Sequence, residues 1–209
     1  MKKTQAIKWC ATVVCVASLG SVLSACVPLI VGGAAVGSAL VATDRRTSGT
    51  QLEDEGIELR ALGRINENLG SRVHVNVTSY NRQVLLTGEV PSAQDKQLVE
   101  QIVSRVESVR LVANELAVLG ASSITQRSSD ALITGKVKAA MVDSKDLFAN
   151  AFKVVTERGI VYLMGRVTQR EANRATDIAR STGGVQKVVR LLEIVSDDEL
   201  QRALPTPKS

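Results

Sequence analysis

Three cysteines (Cys10, Cys15 and Cys26) and a single histidine (His74) are nearly the whole stock of nucleophilic or metal-binding side chains in this 209-residue chain, hydroxyls and carboxylates apart. One histidine completes neither a zinc site nor a His-centred catalytic set. No Ser/His/acid, Cys/His or paired-carboxylate constellation is evident, so no enzyme, cofactor or metal site is expected. Two chemistries remain: a thiolate that accepts a modification, and charged side chains that meet a charged surface. Aromatic residues are 2% of the chain and the formal net charge is +5. Stacking surface for single strands is therefore scarce and the basic excess is modest, which argues against nucleic acid as a partner. The length allows one domain or two small ones.

The three cysteines lie within the first 26 residues. Lys2, Lys3 and Lys8 form a basic start, and an apolar run leads to Leu23-Ser24-Ala25-Cys26. This is the layout of a secretory signal. Leu-Ser-Ala-Cys resembles the lipobox of bacterial lipoproteins. The resemblance implies cleavage before Cys26, a diacylglycerol thioether on its sulfur and an acyl chain, such as palmitate, on its new amine. Residues 1–25 are then a signal peptide, Cys10 and Cys15 leave with it, and no disulfide is possible. Val27 follows Cys26 where retained inner-membrane lipoproteins often carry Asp, which implies outer-membrane sorting to the periplasmic face. The competing reading is an uncleaved membrane span, because no charge falls between Lys8 and Asp44; Pro28 and the glycines at 32, 33 and 37 weaken it. Residues 26–49 form an acylated tether whose apolar part (27–43) either lies in lipid or is a flexible spacer.

The rest of the chain is organised by a repeat. Val84-Leu-Leu-Thr-Gly-Glu-Val90 aligns with Val161-Tyr-Leu-Met-Gly-Arg-Val167 after a shift of 77 positions, with four of seven residues identical. Two complete copies are a tandem pair, not a solenoid. In the first, Thr50-x-x-Glu53 predicts a capped helix to about Leu69. Val73–Val77 and Gln83–Thr87 predict a hairpin, Pro91-Ser92-x-x-Asp95 opens a second helix, and Val109–Val118 is a third strand. The second copy predicts a helix over about 128–142, strands over about 150–156 and 159–165, a helix capped by Thr168-x-x-Glu171, and a last strand over about 185–195. The fold class is α/β (α+β): α-β-β-α-β twice, each copy with two helices on one face of a three-stranded sheet. The expected division is 50–120, 125–195 and a polar, frayed tail over 196–209. His74 is expected to be solvated, and Tyr80 and Tyr162 to pack within their hairpins.

The element order, the VxLxGxV strand and the helix opened by Thr168-x-x-Glu171 resemble the BON domain. With the lipobox and the Ala42-Thr-Asp-Arg-Arg46 segment, the chain resembles dual-BON outer-membrane lipoproteins. The resemblance implies binding of anionic phospholipid, a role in outer-membrane integrity and enrichment at division sites.

Charge separates the copies. Residues 51–120 carry seven basic and ten acidic side chains, and residues 121–195 carry twelve and seven. A basic residue near an anionic leaflet contributes about 1 kcal/mol, so several are needed, and the second copy supplies them. Its first helix has Ile133, Val137 and Ala140 at core spacing, with Leu132, Ala139 and Val142 on a flanking stripe beside Lys136, Lys138 and Lys145. Leu132, Lys136, Val137, Lys138, Val142 and Lys145 are the candidate contacts to phosphatidylglycerol or cardiolipin; alternatively Leu132 and Val142 pack on the first copy. By resemblance, lipid-binding members often carry an aromatic near the Leu132 position. The runner-up function is an adaptor for β-barrel assembly machinery or envelope stress, working through the acidic first copy.

Overall fold

The computed structural model describes residues 44–203, with side chains to residue 200. Cys26, the expected signal and the tether to residue 43 lie outside this range, as do Pro205 and Pro207.

Each copy has the expected order. In the first, helix α1 (Ser48–Leu69) leads to strands β1 (His74–Tyr80) and β2 (Gln83–Val90), then helix α2 (Ala93–Ser104) and the short strands β3 (Leu111–Asn114) and β4 (Ala117–Val118). In the second, α3 (Ile124–Asp143) leads to β5 (Phe152–Glu157) and β6 (Ile160–Val167), then α4 (Gln169–Ser181) and β7 (Lys187–Ile194); helix α5 (Asp197–Ala203) follows. The hairpins β1–β2 and β5–β6 are antiparallel, and the strand after each crossover helix pairs in parallel with the middle strand. The third strand of the first copy is broken, so β3 and β4 pair with β2 in succession.

The N-caps show where local signals hold. Thr168 and Glu171 form a full capping box on α4, and Ser92 caps α2 through the Asp95 amide. The first helix begins a turn earlier than its Thr50-x-x-Glu53 pattern suggests: Thr47 is the cap and accepts from the Thr50 amide. Helix α3 likewise starts at Ile124, capped by Ser123. The expected frayed tail carries α5, because Ser196 accepts from the Glu199 amide.

Both hairpins close through two residues of positive φ, Asn81-Arg82 and Arg158-Gly159, the geometry that matches strand twist. A buried aspartate on the first helix of each copy holds that turn. Asp54 accepts from the amides of Asn81 and Arg82, both at 2.8 Å, and Asp130 from those of Arg158 and Gly159, also at 2.8 Å. The shared glycine of the repeat has a packing reason. A Cβ on Gly88 would sit 2.1 Å from the His74 carbonyl oxygen, and one on Gly165 2.5 Å from that of Ala151. Only glycine lets the neighbouring strand pass so close.

The helices cover one face of each sheet. Ile57, Ala61 and Ile65 pack with Val84, Leu86, Val99 and Val103, and Ile133, Val137 and Met141 pack with Val161, Leu163, Ala172 and Ala175. The two sheets meet through their other faces, where Tyr80, Leu85, Tyr162 and Met164 form a third core. Tyr80 and Tyr162 are therefore contacts between copies, not within hairpins. His74 is half-buried, its side chain 28% exposed, and not simply free in solvent: its ring nitrogen lies 2.9 Å from Glu89, on the face turned to the second copy. Central strands β2 and β6 are covered on both sides, which explains their continuous apolar runs.

Candidate membrane-docking edge

Helix α3 presents two opposite faces. Asp130, Ile133, Val137 and Met141, at spacings of three and four, are buried. Val137 is fully buried and belongs to the core; it is removed from the candidate contacts, because a side chain at 0% exposure cannot reach a leaflet while the copy stays folded. Leu132 and Val142 are 66% and 69% exposed, so neither packs on the first copy. Gly135 and Ala139 lie between them on the same exposed surface. At about 100° per residue these four positions form one outward strip roughly 15 Å long. Lys136 and Lys138 flank it on either side, and Lys145 follows the helix end; all three are exposed. No ion pair involves them among the described residues. The result is an apolar ridge edged by uncommitted ammonium groups.

One exposed aromatic side chain close to the end of this helix was not visible in the sequence. Phe148, in the loop after α3, is 59% exposed, with the Arg45 guanidinium 5.6 Å from its ring centroid. An exposed aromatic is a rare thing in a chain so poor in them, and composition alone was the available signal. It stands near the C-terminal end of α3, away from the Leu132 position.

The first copy has a similar greasy surface with the opposite charge. Leu52 and Leu59 on α1 are 71% and 72% exposed. Their helix carries Glu53, Asp54, Glu55, Glu58 and Glu67 against Arg60 and Arg64. Apolar exposure therefore does not distinguish the copies, whereas charge does. Two arginines of α4 are engaged locally: Arg174 pairs with Asp146, and Arg170 donates to the Asp146 carbonyl.

A separate cleft at the seam of the copies is lined by His74, Asn76, Arg127, Asp130, Thr134 and Glu157. No group of three His, Cys, Asp or Glu side chains suited to a metal occurs among the described residues. Asn76 donates to Glu157 at 3.2 Å across the seam. Burial, with Glu89 and Asp130 nearby, raises the Glu157 carboxyl above its ordinary value. The folded chain therefore holds that proton more tightly than the unfolded chain, and ionisation of Glu157 weakens the fold as pH rises. Glu157→Gln is expected to raise Tm at neutral pH. The gain should vanish in acid, where wild-type Glu157 is also uncharged; melting curves across pH check this.

A family model of the BON domain matches residues 53–120 and 129–196. The chain is similar to outer membrane lipoprotein DolP of Haemophilus influenzae, 40% identical over 173 residues that cover 82% of this chain and 89% of that protein. It is also similar to a 21 kDa hemolysin of Actinobacillus pleuropneumoniae, 30% identical over 73% of this chain and 79% of that one. Osmotically-inducible protein Y of Escherichia coli is 27% identical over 67% of this chain and 72% of that protein. Among solved structures, CdsD of the Chlamydia trachomatis type III secretion system is 13% identical over 70% of this chain and 99% of that one, with a TM-score of 0.30.

Proposed function

From the premise that the chain belongs to the BON-domain family and is an outer-membrane lipoprotein, we propose that it is a non-catalytic binding protein whose second BON domain docks on anionic phospholipid. Acylated Cys26 holds it on the periplasmic face, and the α3 edge engages phosphatidylglycerol or cardiolipin. In this way it helps maintain outer-membrane integrity, including at division sites.

The supporting observation is the α3 ridge, with Leu132 and Val142 exposed between lysines that make no ion pair among the described residues. Apolar tips enter the acyl boundary while ammonium groups meet phosphate. An unacylated chain beginning at Val27 is expected to float with vesicles containing phosphatidylglycerol and not with phosphatidylcholine vesicles. Equal flotation with both would sink the proposal.

The exposed Leu52 and Leu59 in their acidic setting favour a second role, as an adaptor for β-barrel assembly machinery through the first copy. Charge reversal of Glu53, Glu55 and Glu67 would abolish that role and leave vesicle flotation intact.

A further inference from the structure

The segment Asp44–Arg46 belongs to neither repeat, yet both its arginines are largely buried. Arg45, with its side chain 5% exposed, forks onto Glu171 of α4, each nitrogen 2.7 Å from a carboxylate oxygen. It also donates to the Arg166 carbonyl at 3.1 Å. Arg46 turns to the other copy. It donates to Asp54 of α1 at 2.8 Å and lies 4.2 Å from the Tyr80 ring centroid. Adjacent arginines thus fasten the segment to both copies.

Burying such pairs yields little net stability, and their value lies in geometry. Burial alone would raise Glu171, but the Arg45 and Thr168 donors outweigh it and hold the carboxyl below its ordinary value. Asp44 lines a cleft of about 370 Å³ together with Lys138, Met141, Val142 and Phe152. The polypeptide that carries Cys26 therefore enters the described fold beside the C-terminal end of α3. The eighteen residue steps from Cys26 to Asp44 can span at most about 65 Å. A tether of that reach cannot by itself choose which face of the protein meets the leaflet.

We propose that Arg45 is a positioning residue for membrane docking: its fork on Glu171 fixes the anchor-bearing segment at the end of the α3 ridge, so that acyl anchor and ridge address the same leaflet. The clamp raises the effective concentration of the ridge at the surface without adding a lipid contact. This inference rests on docking by α3 as proposed above.

The test uses the full acylated protein in phosphatidylglycerol/phosphatidylethanolamine vesicles. The only tryptophan of the chain, Trp9, lies in the signal, so L132W supplies a lone reporter on the ridge. Brominated phosphatidylglycerol is expected to quench it strongly. In R45Q/E171Q, which removes both charges and leaves no orphan carboxylate, quenching should fall about threefold although the anchor still holds the protein to the vesicle. R45K keeps the charge without the fork and should show an intermediate loss; it also serves if the double variant fails to fold. In a chain that begins at Val27 and so has no anchor, clamp-intact and clamp-free versions should bind the same vesicles equally. Unchanged quenching in the anchored variants overturns the clamp. Equal loss with and without the anchor also overturns it, because the fork would then be merely structural. Absence of quenching with the clamp intact removes the docking proposal itself.

Discussion

Replacing Asp54 by alanine is expected to cost the first copy about 3–5 kcal/mol, as removal of one partner from a buried charged network does. The carboxylate is 1% exposed. It accepts from the Ser79 hydroxyl at 2.7 Å, the Asn81 and Arg82 amides at 2.8 Å and Arg46 at 2.8 Å. Alanine leaves all four donors without this acceptor, two of them on residues held at positive φ. Asp54→Asn keeps one acceptor oxygen but turns an amide group towards donors, so it should recover only part of the loss. Asp130→Ala should cost less. Its turn includes Gly159, which adopts positive φ without strain, and among the described residues no arginine side chain pairs with the carboxylate as Arg46 does with Asp54. Urea unfolding of the three variants gives the ranking. Burial pushes Asp54 upward, but its donors outweigh this and lower it below the ordinary value. Its contribution is therefore complete above the unfolded carboxylate value and fades as pH falls through the lower folded one. The difference between wild type and Asp54→Ala should shrink in that acid range.

These aspartates also mark the limit of what the sequence disclosed. The shifted Val-x-Leu-x-Gly-x-Val runs and the caps at Ser92 and Thr168 are local, period-bearing signals, and the fold follows them. What escaped depends on contacts between distant residues. Asp54 looks like one of several acids on a solvated helix, and only the return of the hairpin 27 residues later gives it partners. His74, Tyr80 and Tyr162 were misplaced for one shared reason. Alternation along a strand separates its two faces but does not say that the polar-looking face is covered by a second sheet. Val137 falls in the core at the spacing its own helix prescribes, and its place among the lysines in sequence is not proximity on the surface. The missed α5 is different in kind. Ser196-Asp-Asp-Glu199 is itself a cap signature, and the two prolines beyond it drew the tail towards disorder.

Leu132→Glu/Val142→Glu is expected to lower affinity for phosphatidylglycerol vesicles by ~30- to 100-fold, the equivalent of about 2–3 kcal/mol of apolar insertion. The change should leave folding intact, since both side chains already face solvent. The same substitutions at Leu52 and Leu59 add charge to an equally greasy but acidic surface, and vesicle binding should not change. Removal of the cations by Lys136→Gln/Lys138→Gln/Lys145→Gln tests the other half of the edge. Each lysine contributes about 1 kcal/mol at low salt, and that contribution falls as ionic strength rises. The lysine variant should therefore differ most from wild type in dilute buffer and converge on it in high salt, whereas the glutamate pair should remain weak throughout. A ridge that works by insertion and charge together must show both behaviours. If the lysine variant alone abolished binding, the exposed leucine and valine would be bystanders and the contact purely electrostatic.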